Sequence, residues 1–366
     1  MKTDFSDWVL AGMLFVGCGT AKSPVTVKEY FKNEFLIGAA IPVPHVKGLD
    51  AKADSVVSLH FNSIVAENCM KCGEIHPRKD EYYWDAADAF VRYGEERGMA
   101  VIGHVLVWHS QVAPWFFYDS AGSYVTPEEL KKRMHDHIVT VVGRYKGRIK
   151  GWDVVNEVIE DNGTYRRSPF YEILGEEFIP LAFQYAHEAD PEAELYINDY
   201  SMACPPKREE YVRIVGELRK RGLRIDGIGM QSHIGLDYPD LGEYEKSIEV
   251  FGNTGLQVMI TELDMTAIPT VHKRADVADN VAFKAAFNPY KEGLPENVSK
   301  QWNARMDSVF QIYRKHSDVI SRVTWWGTHD GMSWRNDFPM RGRTDYPLLF
   351  DREYRMKQFM EEKLAR

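Results

Sequence analysis

A repeated alternation constrains this chain more than any other feature. From residue 35 onward, short apolar runs are each followed by a longer segment with helical spacing. The runs occupy 35–40, 56–65, 100–108, 149–155, 194–198, 225–230, 257–260 and 322–326. Near-continuous apolar runs suit parallel strands covered on both faces. Between them stand helix signals. Thr126-Pro127-Glu128-Glu129 puts Thr at the N-cap, Pro at the first helical position and Glu at the third, a capping box. Leu130, Met134, Ile138, Val141 and Val142 then recur at helical spacing. Tyr211, Ile214, Val215 and Leu218 form a second apolar face, stopped by Gly222. Eight strands alternating with helices predict an α/β fold, a single (β/α)8 TIM barrel over residues 35–366. Residues 266–300 hold three prolines and no clean period, and are expected to form a long loop over the barrel top plus part of a helix.

Composition narrows the function. The formal net charge of -9 lacks the basic surface that a nucleic-acid binder needs. With 9 Trp, 19 Tyr and 18 Phe, the chain can fill a core and still line a cleft that stacks flat, uncharged rings. Four cysteines, Cys18, Cys69, Cys72 and Cys204, are too few for a disulfide scaffold at this length. Cys69-Met70-Lys71-Cys72 has no second pair to complete a zinc site. It reads as two small side chains near a strand end, with a bridge between them left open.

The apolar run 8–16 is too short to span a bilayer as a mature helix. It follows Lys2 and precedes Gly17-Cys18, so residues 1–17 are expected to be a signal peptide. Phe15-Val16-Gly17-Cys18 resembles a bacterial lipoprotein box, in which a lipid on Cys18 would be the only link to a membrane. Residues 18–34 are then expected to be a linker.

In such barrels the active site lies where the strands end. Seven successive runs end in groups able to handle a polar ligand: Glu67-Asn68, His109-Ser110-Gln111, Asn156-Glu157, Asn198-Asp199-Tyr200, Gln231-Ser232-His233, Glu262-Leu263-Asp264 and Trp325-Trp326. Glu157 and Glu262 end the fourth and seventh runs, on facing sides of one rim. Glycoside cleavage needs such a pair, one carboxyl protonated and one ionised. Burial raises a carboxyl pKa and nearby donors lower it, and Gln231 and His233 could be such donors. Chemistry of this kind needs neither a metal nor a cofactor. Neighbours on a strand point to opposite faces, so Trp326 is expected in the cleft and Trp325 under the helices.

Five segments carry a resemblance. They are His60–Asn68, Gly103–Gln111, Trp152–Glu157, Ile260–Asp264 and Val323–Gly327. In this order they are similar to the successive motifs of glycoside hydrolase family 10, endo-β-1,4-xylanases on a (β/α)8 barrel. The resemblance implies Glu157 as acid/base and Glu262 as nucleophile. It implies that Asn156 holds the 2-hydroxyl of the attacked sugar and that His233 orients the nucleophile. Glu67, Asn68 and Lys71 match the group that binds the next sugar on the non-reducing side. His104, Trp108, Gln111 and Gln231 match the wall around the reacting sugar, Trp326 and Trp334 the indoles of the glycone side, and Tyr200 an aromatic of the aglycone side. The chain departs from the pattern at Cys69 and Cys72, where an acid and a Trp are common.

The implied enzyme is an exported monomer acting on xylan and xylo-oligosaccharides. Two other readings stay open: a retaining β-1,4-glucanase or mannanase on the same barrel, and an inactive glycan-binding lipoprotein.

Overall fold

The computed structural model describes residues 25–365 apart from 271–272, 279–280 and 283. The expected signal peptide and Cys18 lie outside these residues. Nine strands are present among them: β1 (Leu36–Ile41), β2 (Ser63–Ala66), β3 (Ala100–Trp108), β4 (Gly151–Asn156), β5 (Glu194–Asp199), β6 (Gly227–Met230), β7 (His233–Gly235), β8 (Gln257–Thr266) and β9 (Ile320–Trp325). All pairings are parallel. Neighbours run β6-β5-β4-β3-β2-β1-β9-β8, and a β6–β8 pairing closes the ring. The result is the (β/α)8 barrel that the alternation predicts. The short β7 lies outside the ring and extends β8 at its far end, pairing His233 with Asp264. Being parallel, the eight ring strands all end on one rim.

The apolar runs locate the eight ring strands, but the run 257–260 covers only the start of β8, which continues to Thr266, and β7 has no run. The run 56–65 straddles two elements. Its first half finishes the helix Ala51–His60, and only Ser63–Ala66 is strand. Asp50 caps that helix by accepting from Ala53 N at 2.9 Å, and Asn62 then turns the chain by accepting from Ile37 N at 2.9 Å. A continuous apolar run cannot by itself separate a buried helix end from a strand.

Residues 18–34 also differ from expectation, because their described part is not a linker. Thr26 and Glu29 form a complete capping box around the helix Val27–Tyr30. Val27 and Phe31 are fully buried, and Phe31 stacks on Phe35 with centroids 4.9 Å apart. Apolar side chains four apart on one helical face have sealed this segment onto the barrel. At Thr126 only half of the expected box forms. Its hydroxyl accepts from Glu129 N, while the Glu129 carboxylate turns to Arg133 at 2.7 Å.

The described part of the 266–300 segment is largely irregular and leads into the helix Glu296–Lys315. Trp325 is fully buried, stacked against Phe310, whereas Trp326 reaches the cleft.

Candidate active site

Glu157 follows the last residue of β4. Its amide donates to Asn198 O at 2.9 Å, but its φ of 57° breaks the strand and swings the side chain across the rim. A left-handed conformation at a residue with a Cβ is uncommon and costs free energy, and such positions cluster at functional sites. Glu262 stays within β8, held by its amide donating to Gln231 O at 2.9 Å. Both side chains line one cleft.

Their partners differ. Glu157 accepts from Trp108 Nε1 at 2.8 Å and from Gln231 Nε2 at 3.0 Å, both neutral groups. Burial, helped by the charges of Asp199 and Glu262, pushes its carboxyl up to about 7. Glu262 accepts from Asn198 Nδ2 at 2.8 Å and faces His233 Nε2 at 3.3 Å. Burial alone would raise its pKa, but the His233 bond, nearby His104 and the Asn198 amide together hold it below the usual range. His233 keeps its proton because Asp264 lies 2.9 Å from Nδ1. Against the pull of burial, Asp264 and Glu262 lift the imidazole to about 9. Arg335 Nε in turn donates to Asp264 at 2.6 Å, and Trp334 Nε1 to its other oxygen at 2.8 Å. Two carboxylates and two cations therefore alternate in a buried chain, the arrangement in which charges can be held away from water.

The orientation of the Asn198 amide is fixed as well. The ionised Glu262 carboxylate can only accept, so the Asn198 NH2 faces it at 2.8 Å, which leaves Asn198 Oδ1 to accept from Thr261 Oγ1 at 2.6 Å. On the glycone side, Lys71 is buried and donates to Asn68 Oδ1 and Gln111 Oε1, each at 2.9 Å, with Nζ 4.9 Å from the Trp108 ring centre. Burial lowers the Lys71 pKa against the opposing charges of Glu262, Glu67 and Glu157. Gly73 N donates to Gln111 O at 2.7 Å, and a Cβ on Gly73 would fall 2.6 Å from that oxygen. This close approach ties the loop carrying Lys71 to the loop carrying Gln111. Cys69 and Cys72 are free buried thiols, both raised to about 12 by burial. His104 Nδ1 meets Asp153 at 2.9 Å, and its ring stands edge-on to Trp326 at 5.3 Å.

The cleft gathers Glu67, Asn68, Lys71, His104, Trp108, Gln111, Asn156, Gln231, His233, Trp326 and Trp334 around the two glutamates. Tyr200 is the exception and corrects the expectation of a cleft aromatic. It is 1% exposed, and its hydroxyl bonds Arg166 while Lys207 Nζ lies 4.0 Å from its ring. Two cations draw the ring inward and fill its faces. Asn198 and Asp264, which the sequence marks only as polar strand ends without a role, and Asp153 and Arg335, which it does not single out, also belong to the site. Asp264 had a signal, being two residues after Glu262 on the same strand face. Arg335 had none.

With this geometry in view, a family model described as Glycosyl hydrolase family 10 matches residues 26–364. The chain belongs to glycosyl hydrolase family 10. The match starts at the capped N-terminal helix, in keeping with its burial. Over 359 residues the chain is 47% identical to Endo-1,4-beta-xylanase A of Xylanibacter ruminicola, covering 98% of this chain and 97% of that one. A GH10 endoxylanase retrieved from a sugarcane soil metagenome superposes with a TM-score of 0.89 at 42% identity, covering 93% of this chain and 99% of that one. A mutant structure in complex with xylotriose superposes with a TM-score of 0.83 at 32% identity, covering 93% and 100%.

Proposed function

We propose that this family 10 hydrolase is an endo-1,4-β-xylanase that cuts internal bonds of xylan with retention of anomeric configuration. The observation that carries the reading is the opposed setting of two cleft carboxyls, Glu157 raised to about 7 and Glu262 held low. Glu262 attacks the anomeric carbon while Glu157 protonates the departing oxygen. Water then enters, Glu157 takes its proton, and the glycosyl–Glu262 ester is hydrolysed. Asn156 holds the 2-hydroxyl of the attacked sugar. His233, oriented by Asp264, holds the nucleophile. Retention calls for carboxyl groups about 5–5.5 Å apart.

The crowding of Glu67, Asn68 and Lys71 favours xylose, which has no C6 hydroxymethyl group to accommodate. The names of the similar xylanases and the xylotriose complex support the same substrate class. Export through residues 1–17, with a lipid on Cys18, belongs to the same proposal, as does action as a monomer. The intact mass of the mature protein and light scattering check them.

Proton NMR of xylo-oligosaccharide hydrolysis should show the β-anomer first. First appearance of the α-anomer sinks the retaining mechanism. Sugar release from xylan should exceed that from carboxymethyl-cellulose and mannan, and the reverse order favours a glucanase or mannanase. Glu262→Ala should abolish turnover yet still bind oligosaccharide. A wild type that binds xylan and never cleaves it would be a binding protein.

A further inference from the structure

Arg166 lies in the loop after β4 and does not line the cleft, but its side chain, 10% exposed, reaches three groups around it. Nε donates to the backbone carbonyl of Glu157 at 2.9 Å. Nη1 donates to Asp276 Oδ2 at 2.9 Å, and Nη2 to the Tyr200 hydroxyl. Glu160 adds an ion pair at 3.3 Å. Asp276 is itself fixed, because its Oδ1 accepts from Ala278 N at 3.0 Å and its Oδ2 lies 3.4 Å from the Tyr200 hydroxyl. Asp276 belongs to the long segment after β8, and its chain neighbours Ala275 and Val277 both line the cleft. One guanidinium thus joins the backbone of Glu157 to the segment after β8 that rims the cleft. The three acceptors lie on three different nitrogens of the planar fork, a spread that a lysine ammonium, with its three donors on one nitrogen, cannot span.

We propose that Arg166 is a positioning residue that holds Glu157 in its left-handed conformation and latches the acid to the rim through Asp276. The proposal rests on Glu157 being the acid. A misplacement of about 1 Å at a reacting group can cost about 100-fold in rate. Loss of the latch therefore weakens the proton-donating step, and weakens it most where the leaving group needs the proton.

Two substrates separate this role from a general loss of structure. The sugar leaving group of xylotetraose needs protonation, while 2,4-dinitrophenol leaves from its β-xylobioside as the phenolate. The parameter kcat/KM reports events up to the first cleavage in both cases. Arg166→Lys should lower kcat/KM on xylotetraose by about 10- to 100-fold. On the dinitrophenyl substrate the loss should be at least fivefold smaller. Asp276→Asn should show the same split at smaller size, with faster amide exchange across 273–278. Equal losses on both substrates, or no loss on either, overturn the latch. Glu157→Gln is the control for the reading beneath it. If it shows no split, the acid is misassigned. If it splits and Arg166→Lys does not, the latch alone fails.

Discussion

Glu157 and Glu262 carry the same side chain and sit in equally buried positions, so their partners must set their charges. An indole and an amide satisfy Glu157 without supplying charge. A protonated imidazole faces Glu262. The pH profile of kcat/KM should therefore be a bell. Its acid limb follows ionisation of Glu262 below the ordinary carboxylate range, and its alkaline limb follows loss of the Glu157 proton near 7. A flat profile from pH 6 to 9 contradicts this assignment. Stability carries the same signature. The folded chain holds the Glu157 proton more tightly than the unfolded chain, so the contribution of Glu157 to stability is lost as pH rises from about 4.5 to about 7. Glu157→Gln has no such charge to bury. Its stability relative to the wild type should improve by about 3 kcal/mol between pH 4.5 and 8, read from urea midpoints at each pH. A pH-independent difference counts against a raised Glu157.

Strand placement was legible at 100–108, where run and strand coincide, but the run at 257–260 cuts β8 short, because the strand continues through the polar Thr261-Glu262 and Asp264 to Thr266. Placement blurred at 56–65 because a helix end and a strand start are both buried there and no turn residue stronger than Asn62 divides them. Packing between strands was not legible. Gly103 on β3 lies beside Trp152 on β4, and a Cβ on Gly103 would come within 2.1 Å of the indole. Trp152 is 1% exposed and has no room to withdraw. Gly103→Ala should cost about 1–3 kcal/mol by urea denaturation. An unchanged midpoint means that the indole has another place to go.

The closed ring spans almost the whole chain, joining β1 to β9 through four Cα-paired positions from Leu36 with Arg322 to Ala39 with Trp325. The helix Val27–Tyr30 seals this juncture, and Phe31 packs on both Phe35 and Phe310. Phe31→Ala should therefore destabilise the whole barrel by about 3–5 kcal/mol in urea. A change under about 1 kcal/mol would make residues 25–34 the appendage that a linker implies.

By itself the sequence determined the barrel, its polar rim and the pairing of Glu157 with Glu262. Apolar period, caps and strand-end polarity are local properties, written where they act. The tertiary structure decided which glutamate keeps its proton, because that depends on whether Trp108 or His233 is brought beside it. It also turned Tyr200 from a cleft aromatic into a buried strut. The cause is contact of Tyr200 with Arg166, Lys207 and Asp276, the last 76 residues away, and no local pattern encodes a contact of that kind.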